Sequence, residues 1–207
     1  MTSLQEINKY NIKSDEEALD VIALHLITQG EQSIMYGGDC AYRGMTPEVY
    51  DEFDELIEGG EFNGMCCAVG AIIKDSAYDS TYESLGVDEQ FVQSMIKKSH
   101  PEWDLTDKSI KLLTFLQRVH DRIDEHVWGI VLNTFINSCY RSHFYESASD
   151  TDEVANYILA KAFNDLTFLS FKPTSLNTTG LYELNLTAKE SLIKSINERM
   201  KQREENK

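Results

Sequence analysis

The sequence predicts a mainly α (α+β) chain: a single helical domain, a small β element near residues 33–44, and a C-terminal β-hairpin followed by a helix. Three observations carry this reading. Only 3 prolines in 207 residues forbid helix. Apolar residues recur at helical spacing through most of the length. Two turn-rich stretches interrupt that spacing. A hydrophobic content of 42% with 10% aromatics excludes a disordered chain. The length suits one domain with a small appendage. The polar stretch Tyr145–Asp152 is the weakest connection, so 1–146 is expected as an acidic helical body. Residues 147–207 are expected as a hairpin-plus-helix appendage packed on it.

The elements follow in order. Ser14-Asp15-Glu16-Glu17 is a capping box, in which the Ser14 hydroxyl accepts from the Glu17 amide. Ala18, Leu19, Ile22, Ala23, Leu26 and Ile27 continue it as a helix, and Gly30 is its expected stop. Gly37-Gly38-Asp39 is turn chemistry between two short strand-like flanks. Thr46-Pro47 predicts a second helix through Val49, Phe53, Leu56 and Ile57. Met65 to Asp75 reads as a short apolar helix. Asp88 is the expected cap of a helix running to about Lys98. From Thr106 a longer segment runs to about Cys139, with Asp124-Glu125 either interrupting it or starting a new helix. A further helix is expected over Asp152–Leu166. Thr167–Phe171 and Leu181–Leu186 read as the two strands of the hairpin. Thr187-Ala188-Lys189-Glu190 is a second capping box and is expected to open the last helix.

The formal net charge is −16. Residues 1–100 hold 19 acidic and 6 basic side chains, whereas residues 147–207 hold 9 and 8. Such a field repels nucleic-acid phosphate and anionic membrane surfaces. The expected partner is therefore a protein, basic or itself nucleic-acid-binding, with no direct contact to nucleic acid or membrane. Homo-oligomerisation is left open. No run approaches the ~20 apolar residues that span a bilayer. Four cysteines without a leader-like N-terminus point to a soluble protein of the reducing cytoplasm.

Chemistry concentrates between Cys40 and Tyr78. Three of the four cysteines lie there, with Arg43, the one arginine in the first hundred residues. Cys67 at a helix start would have a lowered thiol pKa, and His120-Asp121 downstream offers a base and an orienting carboxylate. The alternative is that Cys67 is a small core residue. Cys40, Cys66 or Cys67, and His120 could supply metal ligands, but no Cys-x-x-Cys or His-x-x-x-His spacing is present, so no metal and no cofactor are expected. His120 and Asp124 share a helical face at i, i+4. Arg43, beside Tyr42, either holds an anionic ligand or clamps Asp39, Asp75 or a helix-end carbonyl. The C-terminal hairpin resembles the wing of a winged helix, but no basic recognition helix precedes it.

Cys40-x-Tyr42-Arg43-Gly44, Cys67-Ala68-Val69-Gly70 with Ile73, Asp75 and Tyr78, and Leu116-Gln117-x-Val119-His120-Asp121 with Trp128 form a wider pattern. It resembles a family of uncharacterised small proteins from bacteriophages and bacterial genomes. The resemblance covers residues 18–136. It departs by an insertion of about 20 residues around Thr46–Ile57 and by Lys74 in place of proline. It implies a phage or mobile-element origin and no reaction.

The function expected is that of an accessory protein that binds a host or viral macromolecule through its acidic surface, as an inhibitor of a host system for example. Two alternatives stand beside it. One is a Cys/His-dependent hydrolase or small-molecule-binding protein using Cys67, His120 and Arg43. The other is a virion-associated or assembly component.

Overall fold

The structure is a computed structural model, and it describes residues 9–35, 40–46, 49–50, 56–58, 62–140, 157–158, 160–161 and 178–206. The protein is mainly helical. Its described elements run α1 Asp15–Gln29, β1 Val49–Tyr50, β2 Leu56–Glu58, α2 Gln90–Ser99, α3 Asp107–Arg122, α4 Trp128–Thr134 and α5 Thr178–Glu205. The chain divides into two compact units, residues 1–121 and 122–207. Among the described residues no helix is long and apolar enough to cross a membrane.

In the first unit, α1 begins and ends where local chemistry puts its ends. The Ser14 hydroxyl accepts the Glu17 N–H at 3.3 Å. The reciprocal bond of the box goes one residue further out, with Glu17 accepting the Lys13 N–H at 2.7 Å. Gly30 closes the helix at φ 72°, a left-handed conformation that glycine adopts without a Cβ clash. The core holds Ile22, Leu26, Ile72, Ile73, Met95, Ile96, Leu112, Leu113 and Phe115, all fully buried. Each such side chain contributes about 1.5–3 kcal/mol. α1 packs against a 3₁₀ turn at Gly70–Ile72.

His100 ties this unit together. Its Nδ1 accepts the Ile12 N–H at 3.2 Å, and its Nε2–H donates to the Ile72 carbonyl at 2.7 Å. Both ring nitrogens are satisfied only in the neutral ring, and burial lowers the pKa to about 4.

Several expected elements take other forms. The helix over Thr46–Ile57 is replaced by the antiparallel pair β1–β2, with Val49 opposite Glu58 and Tyr50 opposite Leu56. A helix there would have set Glu48 against Glu52 and Asp51 against Glu55, like charges one turn apart. Residues 33–44 do not form strands among the described residues; Ile34 and Cys40 meet in one isolated bridge. Met65–Asp75 is not a helix but a sequence of turns around the Gly70–Ile72 3₁₀ segment. Two of its carbonyls, those of Gly70 and Ile73, accept a side chain from elsewhere, described below. Glu89, not Asp88, is the residue preceding α2.

In the second unit, Asp124 interrupts the long helical run as expected, its side chain accepting the His126 N–H at 2.8 Å. A short 3₁₀ turn leads into α4, which continues as a π-helical turn over Phe135–Cys139. α4 packs on α5. The approach is close at Gly129, where a Cβ would lie 2.8 Å from the Asn185 carbonyl oxygen. The expected strand Leu181–Leu186 is part of α5, and Thr187 sits inside that helix, its hydroxyl donating to the Glu183 carbonyl at 3.0 Å. Leu181, Leu184 and Ala188 pack on Ile130, a helical spacing that the short alternation in this stretch masks. Thr167–Phe171 lie outside the described residues. Of the expected helix Asp152–Leu166, residues 157–158 and 160–161 are described, and they are helical.

Candidate functional site

The segment Cys40–Gly44 is the centre around which the first unit's polar groups are arranged. It is held from behind by Glu83. One carboxylate accepts the N–H of Tyr42 at 2.7 Å and that of Arg43 at 3.0 Å, and Tyr78 donates its hydroxyl to the same group at 2.5 Å. The Cys67 N–H donates to the Ala41 carbonyl at 3.1 Å, and the Gly44 N–H to the Met65 carbonyl at 2.8 Å. At Gly70 the backbone comes so close that a Cβ would fall 2.1 Å from the Tyr42 carbonyl oxygen. Only glycine permits that approach.

Arg43 is a clamp. The side chain is 5% exposed. Its guanidinium donates to the carbonyls of Tyr42 at 3.2 Å, Gly70 at 2.6 Å and Ile73, to the Cys66 sulfur at 3.3 Å and to Asp75 at 3.3 Å. Its face lies over the Tyr78 ring, 5.0 Å from the centroid. These bonds tie the Met65–Asp75 turns to the Cys40–Gly44 segment, the Gly70 carbonyl accepting both Arg43 and the Ile73 N–H. The expected clamp partner Asp75 is used, together with turn carbonyls. Burial pushes the Cys66 thiol up to about 12, against the opposing pull of Arg43.

Two cavities flank the segment. Cys40 and Tyr42, two residues apart, both line a cleft of about 300 Å³ with Ser84–Val87, Gln117 and Asp121. Ser84 has φ 64°, an uncommon conformation for a residue with a Cβ. Arg43 borders the second cavity, of about 450 Å³, with Met35, Met45, Phe62, Tyr78 and Glu83.

The thiol, imidazole and carboxylate that the sequence put in prospect do converge, but on Cys40. Its sulfur lies 3.9 Å from His120 Nδ1 and accepts from Gln117 Nε2 at 2.8 Å. His120 Nδ1 lies 2.8 Å from Asp121 Oδ1, and Gln117 also donates to that oxygen. The orientation of the Gln117 amide is fixed by Val69, whose N–H donates to its Oε1 at 3.1 Å. Asp121, and not Asp124, is therefore the carboxylate bonded to His120. Cys67 is 0% exposed, its sulfur accepting the Gly70 N–H at 3.3 Å. It does not line the cleft. Tyr42 donates its hydroxyl to the Leu85 carbonyl at 2.5 Å, and burial raises its pKa.

The state of His120 decides what this group can do. The ring is 1% exposed, and its Nε2 receives the Ser33 N–H at 2.8 Å. A nitrogen that accepts there carries no proton, so in the neutral ring the proton is on Nδ1 and goes to Asp121. The nitrogen nearest Cys40 thus has no lone pair with which to take the thiol proton. The same tautomer bars ligation of a metal by Nδ1, although the Cys40 sulfur, His120 Nδ1 and an Asp121 oxygen lie within 4.8 Å of one another. Transfer to Nε2 would set an N–H against the Ser33 N–H. Hydrogen bonding to Cys67, then burial, raises the Cys40 pKa and keeps the thiol protonated.

Gln117 and Glu83 were not singled out by residue chemistry, and Cys40 was considered there only as a metal ligand. No protein-family model, curated protein or solved structure matches the chain.

Proposed function

We propose that this protein acts by binding, as an accessory protein of a phage or mobile element, and that it meets a basic protein surface through its first unit. The observation that carries the reading is the charge distribution. Residues 1–121 hold 23 acidic and 9 basic side chains, a net −14, while residues 122–207 hold 12 and 10, a net −2. Asp75, Asp79, Asp88 and Glu89 are exposed on the stretch that walls both cavities. Against such a surface a basic partner is steered at long range and bound more weakly as salt rises. The hydrolase alternative is disfavoured by the His120 tautomer, which supplies no base to Cys40. The phage or mobile-element setting comes from the sequence resemblance.

The test is affinity capture from host cells with the natural chain and with a variant in which Asp75, Asp79, Asp88 and Glu89 become Asn or Gln. A partner captured by the first, lost by the second, and released between roughly 50 and 300 mM salt supports the reading. A partner that survives high salt, or that binds the variant equally, overturns it.

A further inference from the structure

We propose that Cys40 and Cys67 form a reversible disulfide with a low-molecular-weight disulfide as oxidant, so that the floor of the cleft is a thiol-modification site. This inference is independent of the partner-binding reading.

Four observations place the two sulfurs for it. The Cys67 N–H is bonded to the carbonyl of Ala41, the residue next to Cys40, so the two backbones run side by side. Gly70 lies pressed on Tyr42, which leaves the turn at 67–70 no room to draw back. Of the groups around it, Cys67 acts most strongly on the Cys40 thiol. Gln117 spans both sides, donating to the Cys40 sulfur and accepting from Val69, two residues beyond Cys67. Cys66 is set apart from the pair because its sulfur accepts from Arg43.

Access fixes the order of events. Cys40 lines the open cleft, and Cys67 is fully buried. A small disulfide RS–SR therefore meets Cys40 first. The Cys40 sulfur, losing its proton, attacks one sulfur of RS–SR; the S–S bond breaks and one RSH leaves with that proton. The Cys67 sulfur then attacks Cys40 in the mixed disulfide, and the second RSH leaves with the Cys67 proton. The two cysteines lose two hydrogens and RS–SR is reduced to two thiols. The first step is slow, because the Cys40 thiol is held protonated. The second is faster, because the backbone bond from Cys67 to Ala41 already holds the resolving cysteine beside Cys40. The product ties Cys40–Gly44 covalently to the 66–70 turn and removes the thiol that faces the cleft. A dithiol reductant restores it.

The experiment incubates the full chain with oxidised glutathione at mildly alkaline pH and follows the intact mass and the non-reduced peptide map. The expected result is loss of two hydrogens with one cross-linked peptide pair joining Cys40 to Cys67, reversed by dithiothreitol. The Cys66→Ser variant is expected to give the same product. Cys67→Ser is expected to stop with one glutathione on Cys40. The natural chain alone is decisive should that variant not fold. Stable glutathionylation of Cys40 in the natural chain, a link to Cys66 or Cys139, or no change in mass would each overturn the proposal.

Discussion

The Ser33 backbone N–H points at Nε2 of His120 from 2.8 Å, and that contact separates a structural imidazole from a catalytic one. A base for Cys40 would need its free lone pair on Nδ1, 3.9 Å from the sulfur; the lone pair is on the other side of the ring, in use. With no imidazole lone pair to accept its proton, and with Cys67 and burial both raising its pKa, Cys40 is an unactivated thiol. Its alkylation by iodoacetamide should be slower than that of a free thiol at pH 7.5. The rate should rise about tenfold per pH unit up to pH 9, without a plateau near neutrality. A plateau between pH 5 and 7 would show an ion pair and return the hydrolase reading.

Arg43 organises the same region by a different means, which makes its replacement costly. Its fork reaches Gly70, Ile73 and Asp75 together from a nearly buried position. Lysine keeps the charge but loses the planar geometry, and leaves turn carbonyls without donors. Arg43→Lys should destabilise by about 2–4 kcal/mol in urea unfolding. A loss below about 0.5 kcal/mol would mean that the turn carbonyls find other donors.

The two glycines nearest the site should respond differently to alanine. At Gly70 the added methyl meets backbone, the Tyr42 carbonyl at 2.1 Å, which Glu83 and Arg43 hold from both sides. At Gly44 it meets the side chains of Asn63 at 2.6 Å and Ser33 at 2.9 Å, of which the Asn63 amide can turn away. Gly70→Ala should cost more than about 3 kcal/mol and Gly44→Ala about 1–2 kcal/mol. Equal costs would contradict the rigid seat assigned to Tyr42.

These relationships show why the sequence was legible in some places and not in others. Ser14 and Gly30 bound α1 through bonds spanning four residues or fewer, so their pattern is local. Arg43 was legible as a clamp because a lone guanidinium among carboxylates has few other uses. Met65–Asp75 was not legible, since its apolar run looks helical while its carbonyls bond to side chains far off in sequence, Cys66 to His25, Ile72 to His100 and Ile73 to Arg43. Cys40 was legible only as a possible metal ligand, because Gln117 and His120, which surround it, are 77 and 80 residues distant. Leu181–Leu186 failed differently, because six residues cannot separate a period of two from one of 3.6.

Buried histidines also set the pH response. His25, whose Nε2–H donates to the Cys66 carbonyl at 2.9 Å, and His100 both have pKa values lowered to about 4, chiefly by burial. Each group is depressed below its unfolded value near 6.5. The unfolded chain therefore binds more protons between those values, and stability is full above about 6.5 and is lost as pH falls toward 4. At ~1.4 kcal/mol per pKa unit, each histidine accounts for roughly 3 kcal/mol across that window. Urea midpoints should fall steadily from pH 7 to pH 4.5, and His100→Gln should flatten the slope. An unchanged slope in the variant would remove His100 from the account.

In the second unit, Asn185 gives the last prediction. It is 4% exposed, and its Oδ1 accepts the Ile130 N–H at 3.3 Å. Ile130 is the third residue of α4, so this N–H belongs to the first turn and has no partner within the helix. A side chain of α5 thus acts as the cap of α4 in place of Val127, which makes no side-chain cap bond. Asn185→Ala should leave that donor buried and unbonded, costing about 1–2 kcal/mol. Asn185→Asp keeps an acceptor at a helix N-terminus, where negative charge is favoured, and should recover most of the loss. Equal destabilisation by the two substitutions would show that Asn185 matters for its packing beside Gly129 and not for the bond.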